Sequence, residues 1–419
     1  MAYQLVGKSI VDVEMSNYQC YTVDKGIDSS GTANFIVEGH PDYFIDLSKC
    51  YLKTTFRIVD DKGDVLDDTA TAFPCENYGT NLWSQVNVSL NNTPLPPGND
   101  YAYTAQITSL VGASPESRGM VLKDLAGWQQ PLNGSSKLEH SLAGTYKTIK
   151  AATKQSYPLI VYDRIYSDFF LSCPQLLPNN MQLGITFTRS KDAFVLGRDN
   201  GDTKAYRIQV GSVSLFIKRV QLNETAHKLV DQNLATGGKL RYQRLQTVAL
   251  PCAKGSRSWN WHNCFSSDVP KRVFMALVSQ ESYFGSFDRT SSFLESAGVS
   301  SVRFCLDGRD IMPEPYKSDF HYDESGIVES AKCNAKSPYA GLCNTIGIFS
   351  NLRQYQGIHY DKYVNGSTVF AVELGRKYPT IGSFDVHMEF ATPTTDALMI
   401  ILVGEFERVI SFDRNRNIV

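Results

Sequence analysis

The stretch LWSQVNVSLNNTPLPPGNDYAYTA, Leu82 to Ala105, holds a strand, a turn and a stop in that order. Val86, Val88 and Leu90 alternate with Asn87 and Ser89, which gives one apolar and one polar face. Asn91-Asn92 turns the chain, and Pro94, Pro96 and Pro97 bar a central strand directly after it. Farther along stands VRFCLDGRDIMPEPY. There Val302, Phe304 and Leu306 alternate, Asp307-Gly308 turns, Ile311 follows, and Pro313 and Pro315 close the segment. The second stretch repeats the first, 216 residues later.

Further pairs follow in the same order. Phe169-Phe170-Leu171 leads through Pro174 and Pro178 to MQLGITF, where Met181, Leu183, Ile185 and Phe187 alternate. Phe370 to Leu374 leads through Pro379 to FDVHMEF, where Phe384, Val386, Met388 and Phe390 alternate. Both then pass a polar turn into Asp-Ala, at Asp192-Ala193 and Asp396-Ala397. Each half closes on a similar strand, Val213 to Leu222 and Val403 to Phe412. The offset drifts from 216 to about 204 and about 190, as expected when loops change length and strand order holds. YAYTAQITSLVG and YAGLCNTIGIFSNLR, opening on Tyr101 and Tyr339, read as helical segments after each proline turn. Asn223 to Leu240 reads as a short linker helix, with Thr225 as its cap and Gly237-Gly238 as its stop.

These signs give an all-β chain of two consecutive eight-stranded jelly-roll barrels, with short helices in the loops and linker. The expected divisions are an N-terminal arm over 1–29, a first jelly roll over 30–222, the linker helix over 223–240 and a second jelly roll over 241–419. Length agrees, since 419 residues exceed one ordinary core and suit two. The 22 Tyr and 22 Phe favour sheet.

A net charge of −2 offers no bulk attraction to nucleic acid, and neither terminus carries a basic arm. The C-terminal DRNRNIV reads as a solvated tail. The longest purely apolar run, Ala397 to Val403, is far short of a membrane span and reads as a buried strand. The first fifteen residues lack the pattern of a secretory signal. Nine cysteines without a pairing pattern or a C-x-x-C read mostly as reduced, buried and inert, and the five N-x-S/T sequons then carry little meaning.

The chain resembles the double jelly-roll major capsid proteins of Polinton/Maverick elements, adintoviruses, adomavirus-like agents and virophages. Residues Pro41 to Leu66 (PDYFIDLSKCYLKTTFRIVDDKGDVL), Glu76 to Leu95, NNMQLGITFTRSKDAFVL and YRIQVGSVSLFIKRVQL carry the likeness. PKRVFMALVSQESYFGS and VRFCLDGRDIMPEP extend it into the second half, so that it spans most of 35–419. The resemblance implies a structural protein of the virion, assembled inside the host cell. Its implied partners are itself, as a pseudo-hexameric homotrimer, then neighbouring capsomers and penton or minor capsid proteins. No direct sequence-specific contact with nucleic acid, no membrane span and no cofactor is expected.

Rival readings ask for chemistry the residues lack. A cupin-type enzyme needs two His one residue apart with a Glu and a further His converging in one barrel, and the chain offers only His387-Met388-Glu389. In WNWHNCF, His262 stands two residues from Cys264, but catalytic partners usually come from separate elements. DDKGDVLDD, Asp60 to Asp68, lacks EF-hand spacing and reads as an exposed hairpin turn, and TRSKDAF reads as a solvated turn. A soluble jelly-roll carbohydrate-binding protein is the alternative from another class, with a penton or minor capsid protein closer by. Trp259, Trp261, Phe265, Tyr283 and Phe284 are the candidate subunit interface, and the long Tyr-, Ser-, Gly- and Asn-rich loop from His321 to Gly366 is a second contact.

Overall fold

A computed structural model describes residues 13–24, 27, 31–128, 135–138, 153–349, 357–375 and 378–419. Its strands begin with β1 (Val13–Val23), β2 (Thr32–Val37), β3 (Tyr43–Ile45), β4 (Tyr51–Asp60) and β5 (Phe73–Pro74). Then come β6 (Trp83–Leu90), β7 (Thr93–Pro94), β8 (Leu159–Arg164), β9 (Leu183–Arg189), β10 (Leu196–Gly197) and β11 (Tyr206–Leu222). The second half holds β12 (Gly238–Cys252), β13 (Ser258–Trp261), β14 (Arg272–Ser279), β15 (Val299–Leu306) and β16 (Arg309–Asp310). It ends with β17 (Tyr316–Lys317), β18 (Val369–Glu373), β19 (Phe384–Phe390) and β20 (Leu398–Phe412).

Antiparallel pairing sorts the first-half strands into sheet A, ordered β1-β11-β4-β8 with β3 against β11, sheet B, ordered β2-β9-β6-β7, and a separate pair, β5 with β10. The second half repeats both orders. Sheet C runs β12-β20-β14-β18, and sheet D runs β13-β19-β15-β16 with β17 against β15. In each half the apolar faces of the two sheets enclose one core. Leu52, Phe56, Val213 and Leu215 of sheet A meet Phe35, Val88, Ile185 and Phe187 of sheet B. Val273, Met275, Ile400 and Leu402 of sheet C meet Val302, Phe304, Val386 and Met388 of sheet D. Leu398 to Val403 is buried throughout, as a strand covered on both faces should be.

The two quoted hairpins occupy the same place in their sheets. Leu90 faces Leu183 and Leu306 faces Phe384. Both central residues of each turn have positive φ, 45° and 64° at Asn91-Asn92 and 49° and 74° at Asp307-Gly308, as a type I′ turn needs. Each strand also carries a bulge at the same point, Ser84 in β6 and Ser300 in β15. The serine hydroxyl at each bulge donates to a carbonyl of the partner strand, at Thr188 (3.2 Å) and Glu389 (3.1 Å).

Several expectations need correction. Phe169 to Leu171 lies in a short helix (Asp168–Ser172), whereas Phe370 to Val372 lies in β18, so these two segments are not counterparts. The strand matching β18 in sheet order is β8. The segment read as an arm contains β1, paired along its length with β11. The linker helix runs Glu224–Leu234, Asn223 rather than Thr225 caps it by accepting from Ala226 N–H, and β12 has already begun at Gly238. Asn is as good an N-cap as Ser or Thr and stands two residues earlier. TRSKDAF is not a solvated turn, because Arg189 is largely buried against Asp192 at 2.8 Å and Asp192 also accepts from Ile208 N–H.

The C-terminal segment is not a solvated tail either. Arg416 is buried, donates to the side-chain oxygen of Asn179 at 3.1 Å, and offers its own carbonyl to Asn91 at 2.7 Å. The loop from His321 onward is partly structured, with helices at Lys336–Thr345 and Tyr360–Val364; its residues 350–356 lie outside the described set. Asp60 to Asp68 does form a hairpin turn, with Asp60 Oδ1 accepting from the N–H groups of Lys62 and Asp64.

Candidate assembly surfaces

The five aromatic candidates do not form one patch. Trp259 and Trp261 share a face of edge strand β13, with rings 6.1 Å apart and nearly parallel. Trp259 points into the second core, 7% exposed, and its indole N–H donates to the Pro251 carbonyl at 2.9 Å. Trp261, one strand-repeat farther out, is 36% exposed. Phe265 cannot meet a neighbour. It is 1% exposed and packs on Phe384 and Phe406 inside the chain.

Tyr283 and Phe284 sit elsewhere, on a short helix (Gln280–Phe284) beside the seam between the halves. The Tyr283 hydroxyl donates to Asp100 at 2.7 Å and its ring stacks on Tyr103 at 5.7 Å. Burial lifts the Asp100 carboxyl above its ordinary range, although the Tyr283 hydrogen bond opposes the rise. Phe284 is 51% exposed at the mouth of a cavity of about 190 Å³, which Asp100, Tyr103, Ser190 and Tyr283 also line. That volume is below the few hundred Å³ of an ordinary ligand pocket.

The seam is a polar lock that local sequence did not announce. Glu76 accepts from Thr290 Oγ at 2.5 Å, Asn77 and Asn81 donate to Ser292 Oγ at 3.2 Å, and Ser292 Oγ donates to the Glu76 carbonyl. All of these side chains are buried, where each hydrogen bond satisfies a group that would otherwise be costly. The signal is a run of small hydroxyl residues, Thr290-Ser291-Ser292, too polar for a core position unless a distant partner exists. Above this lock the helix Tyr101–Gly112 places Tyr103, Ile107 and Leu110 into the second core, although it belongs to the first half.

The residues singled out for chemistry are poorly equipped for it. Burial pushes the Cys264 thiol up to about 12, so it is not a thiolate at neutral pH. His262 Nδ1 lies 3.4 Å from Asp385, and His387 Nδ1 lies 2.9 Å from Asn260 Oδ1. Among the described residues no group of three or more His, Cys, Asp and Glu side chains is placed to hold a metal ion. None of the described helices is long and apolar enough to cross a membrane.

Comparison with known proteins bears on the whole chain. A chain of the Sputnik virophage, solved by cryo-EM, superposes with a TM-score of 0.62 at 10% identity, covering 99% of this chain and 90% of that one. The mavirus major capsid protein superposes with a TM-score of 0.53 at 10% identity, covering 99% and 91%. This is the double jelly-roll fold. VP54 of PBCV-1, fitted into a reconstruction of Sputnik, shares the double jelly roll with a TM-score of 0.54 at 9% identity, over 97% of each chain. By sequence, the uncharacterised protein F54H12.2 of Caenorhabditis elegans is 21% identical over 427 residues, 97% of each chain. No family model matches.

Proposed function

We propose that this protein is the major capsid protein of an icosahedral DNA virus or virus-like element, and that it assembles as a pseudo-hexameric homotrimer. The observation that carries the reading is the doubled sheet order, β1-β11-β4-β8 with β2-β9-β6-β7 and then the same again, in one chain. Double jelly rolls matching over nearly the full length, the mavirus major capsid protein among them, support it. Three copies supply six barrels, which tile a near-hexagonal lattice without six identical subunits. In this reading the first barrel runs from β1 to β11 and the second from β12 to β20, slightly wider than 30–222 and 241–419. The protein acts structurally rather than as an enzyme, resides in the virion, and meets penton or minor capsid proteins at the vertices of the shell. A nearly full-length relative in a nematode suits an element carried in a host genome. Of the aromatic candidates, Trp261 and Phe284 are the ones exposed enough to meet a neighbour.

Native mass spectrometry and negative-stain imaging of the purified chain test this. A species of three times the 46.7 kDa chain mass, with a pseudo-hexagonal outline, is expected. A chain that stays monomeric at high concentration overturns it.

A further inference from the structure

The cavity of about 190 Å³ beside the seam has a lining with one chemical bias. Four aromatic rings wall it. Tyr283 stacks on Tyr103, Phe194 meets Tyr103 edge-on at 5.8 Å, and Phe284 meets Tyr283 edge-on at 5.2 Å. Among these rings stand three groups whose oxygens have acceptor capacity to spare. The Tyr103 and Ser190 hydroxyl oxygens are buried and have no hydrogen-bond partner among the described residues. Tyr103 is 2% exposed, so a partner for its hydroxyl has to come from the cavity it lines. The third group is the Asp100 carboxylate, which accepts from the Tyr283 hydroxyl but pairs with no cationic side chain among the described residues.

Asp100 is spent on this cavity rather than on its own helix. It holds the N-cap position of the helix Tyr101–Gly112 at φ 51° and ψ 43°, yet its side chain caps nothing. An Asp at an N-cap ordinarily accepts from the first-turn N–H groups, and a left-handed φ costs it more than an extended one. Here the carboxyl turns to Tyr283 of the second half, while the positive end of the helix favours its ionised form. The only other charged residue in the lining is Lys191, which is exposed, so solvent screens its charge.

We propose that this cavity binds a primary alkylammonium group, the end of a short aminoalkyl chain, held by Asp100, Tyr103 and Ser190 between the aromatic walls. The inference does not rest on the capsomer reading. An ammonium group carries three N–H donors and no acceptor, which answers one carboxylate and two hydroxyl oxygens that lack donors. The rings suit both the cation and its methylene stem. Size agrees, because a cavity of about 150 Å³ holds benzene, and four carbons with one nitrogen are fewer atoms than that. A quaternary ammonium has no N–H to give these oxygens, and an anion would meet the Asp100 charge in a half-buried setting. The same group ends a free polyamine and a protein lysine, so the chemistry is shared and the source is a matter for the test.

Saturation-transfer difference NMR on the full chain, titrated with n-butylammonium chloride at constant ionic strength, reads the binding directly. A dissociation constant on the order of 1 mM is expected for so few heavy atoms. Butanol and tetramethylammonium, which lack the charge or the N–H donors, are expected to bind about tenfold more weakly or worse. Asp100→Asn is expected to weaken butylammonium binding about tenfold and Tyr103→Phe about threefold, each with an unchanged circular dichroism spectrum. Equal affinity for butanol, or an Asp100→Asn variant that binds like the wild type, overturns the proposal. So does a wild-type chain with no transfer at about 20 mM ligand, ten or more times the expected constant. Binding seen only in a Lys191→Met variant shows that Lys191 fills the cavity itself, and overturns it as well. Should either pocket variant fail to fold, the wild-type ranking of butylammonium over butanol and tetramethylammonium still decides. Where the proposal holds, tighter binding of 1,4-diaminobutane than of Nα-acetyl-lysine methylamide assigns the source to a free polyamine, and the reverse order assigns it to a protein side chain.

Discussion

The hairpins β6–β7 and β15–β16 are built alike, backbone atom for backbone atom, from different turn residues. Asn91 N–H donates to the Gln182 carbonyl and Asp307 N–H to the Ser383 carbonyl. Each side-chain Oδ1 then accepts, at 2.7 Å, from the backbone N–H of that same partner residue. Leu95 N–H returns to the Val88 carbonyl, as Ile311 N–H returns to the Phe304 carbonyl. The selected quantity is therefore a positive φ plus one side-chain acceptor, which Asn and Asp supply equally. Where they differ is informative. Asn91 also has an amide to donate, and gives it to the Arg416 carbonyl. Asp307 is acceptor-only, and its turn holds no distant segment of that kind.

Truncating the core side of each hairpin puts the largest strain on this comparison. Phe304→Ala is expected to cost about 3–5 kcal/mol and Leu90→Ala about 2–5 kcal/mol, since both side chains are fully buried. Urea unfolding followed by near-UV circular dichroism measures both. A loss under about 1 kcal/mol for either would separate that hairpin from its core.

A second contrast lies between β8 and β18. Asp163 faces inward opposite Leu52, and Val372 stands in the matching place opposite Val273. Burial pushes the Asp163 carboxyl up to about 8, with only the Arg164 N–H opposing it. Between its ordinary pKa, about 4, and its folded value, the unfolded chain gives up the proton that the folded chain keeps, so stability falls as pH rises through that window. Asp163→Asn should flatten this slope and be the more stable protein at pH 8 by about 1–3 kcal/mol. Thermal unfolding at pH 5 and pH 8 compares the two. An unchanged slope would mean that Asp163 ionises in the folded chain.

The turns themselves give smaller effects. Asn91→Asp keeps the acceptor and loses the donor to Arg416, so a cost of about 1–2 kcal/mol is expected in thermal unfolding. Asp307→Asn should stay within about 0.5 kcal/mol. Equal losses would show that the extra hydrogen bond of Asn91 contributes nothing. The smallest effect sharpens the comparison most: Ser84→Ala and Ser300→Ala should each cost about 0.5–1 kcal/mol and agree with each other if the two bulges are one device.

The sequence revealed what local rules govern. Period-two alternation and a turn pair with positive φ located both hairpins and the long closing strands. Local rules failed where a distant partner decides. Phe169 to Leu171 reads as the counterpart of Phe370 to Leu374, but Asp168 starts a helix there. Arg416 reads as solvated because Asn179 and Asn91, which bury it, lie hundreds of residues away. Phe265 sits among aromatic neighbours that mark interfaces and cores alike, and only the packing of Phe384 and Phe406 chose the core. The seam residues Glu76, Asn77, Asn81 and Ser292 were invisible for the same reason, being polar singly and satisfied only together.

The β12–β20 ribbon has a bearing on how the protein is made. Leu240, Tyr242, Ile410 and Phe412, at one end of that ribbon, belong to the first half's core, and Arg416 finishes the first half's turn. A nascent chain that has emerged only through Leu222 lacks all five. Translation proceeds from the N-terminus, so the first barrel reaches its final form after Arg416 leaves the ribosome. Synthesis of β20 and Arg416 thereby acts as a timer for the first barrel, which stays unfinished until the second has been made.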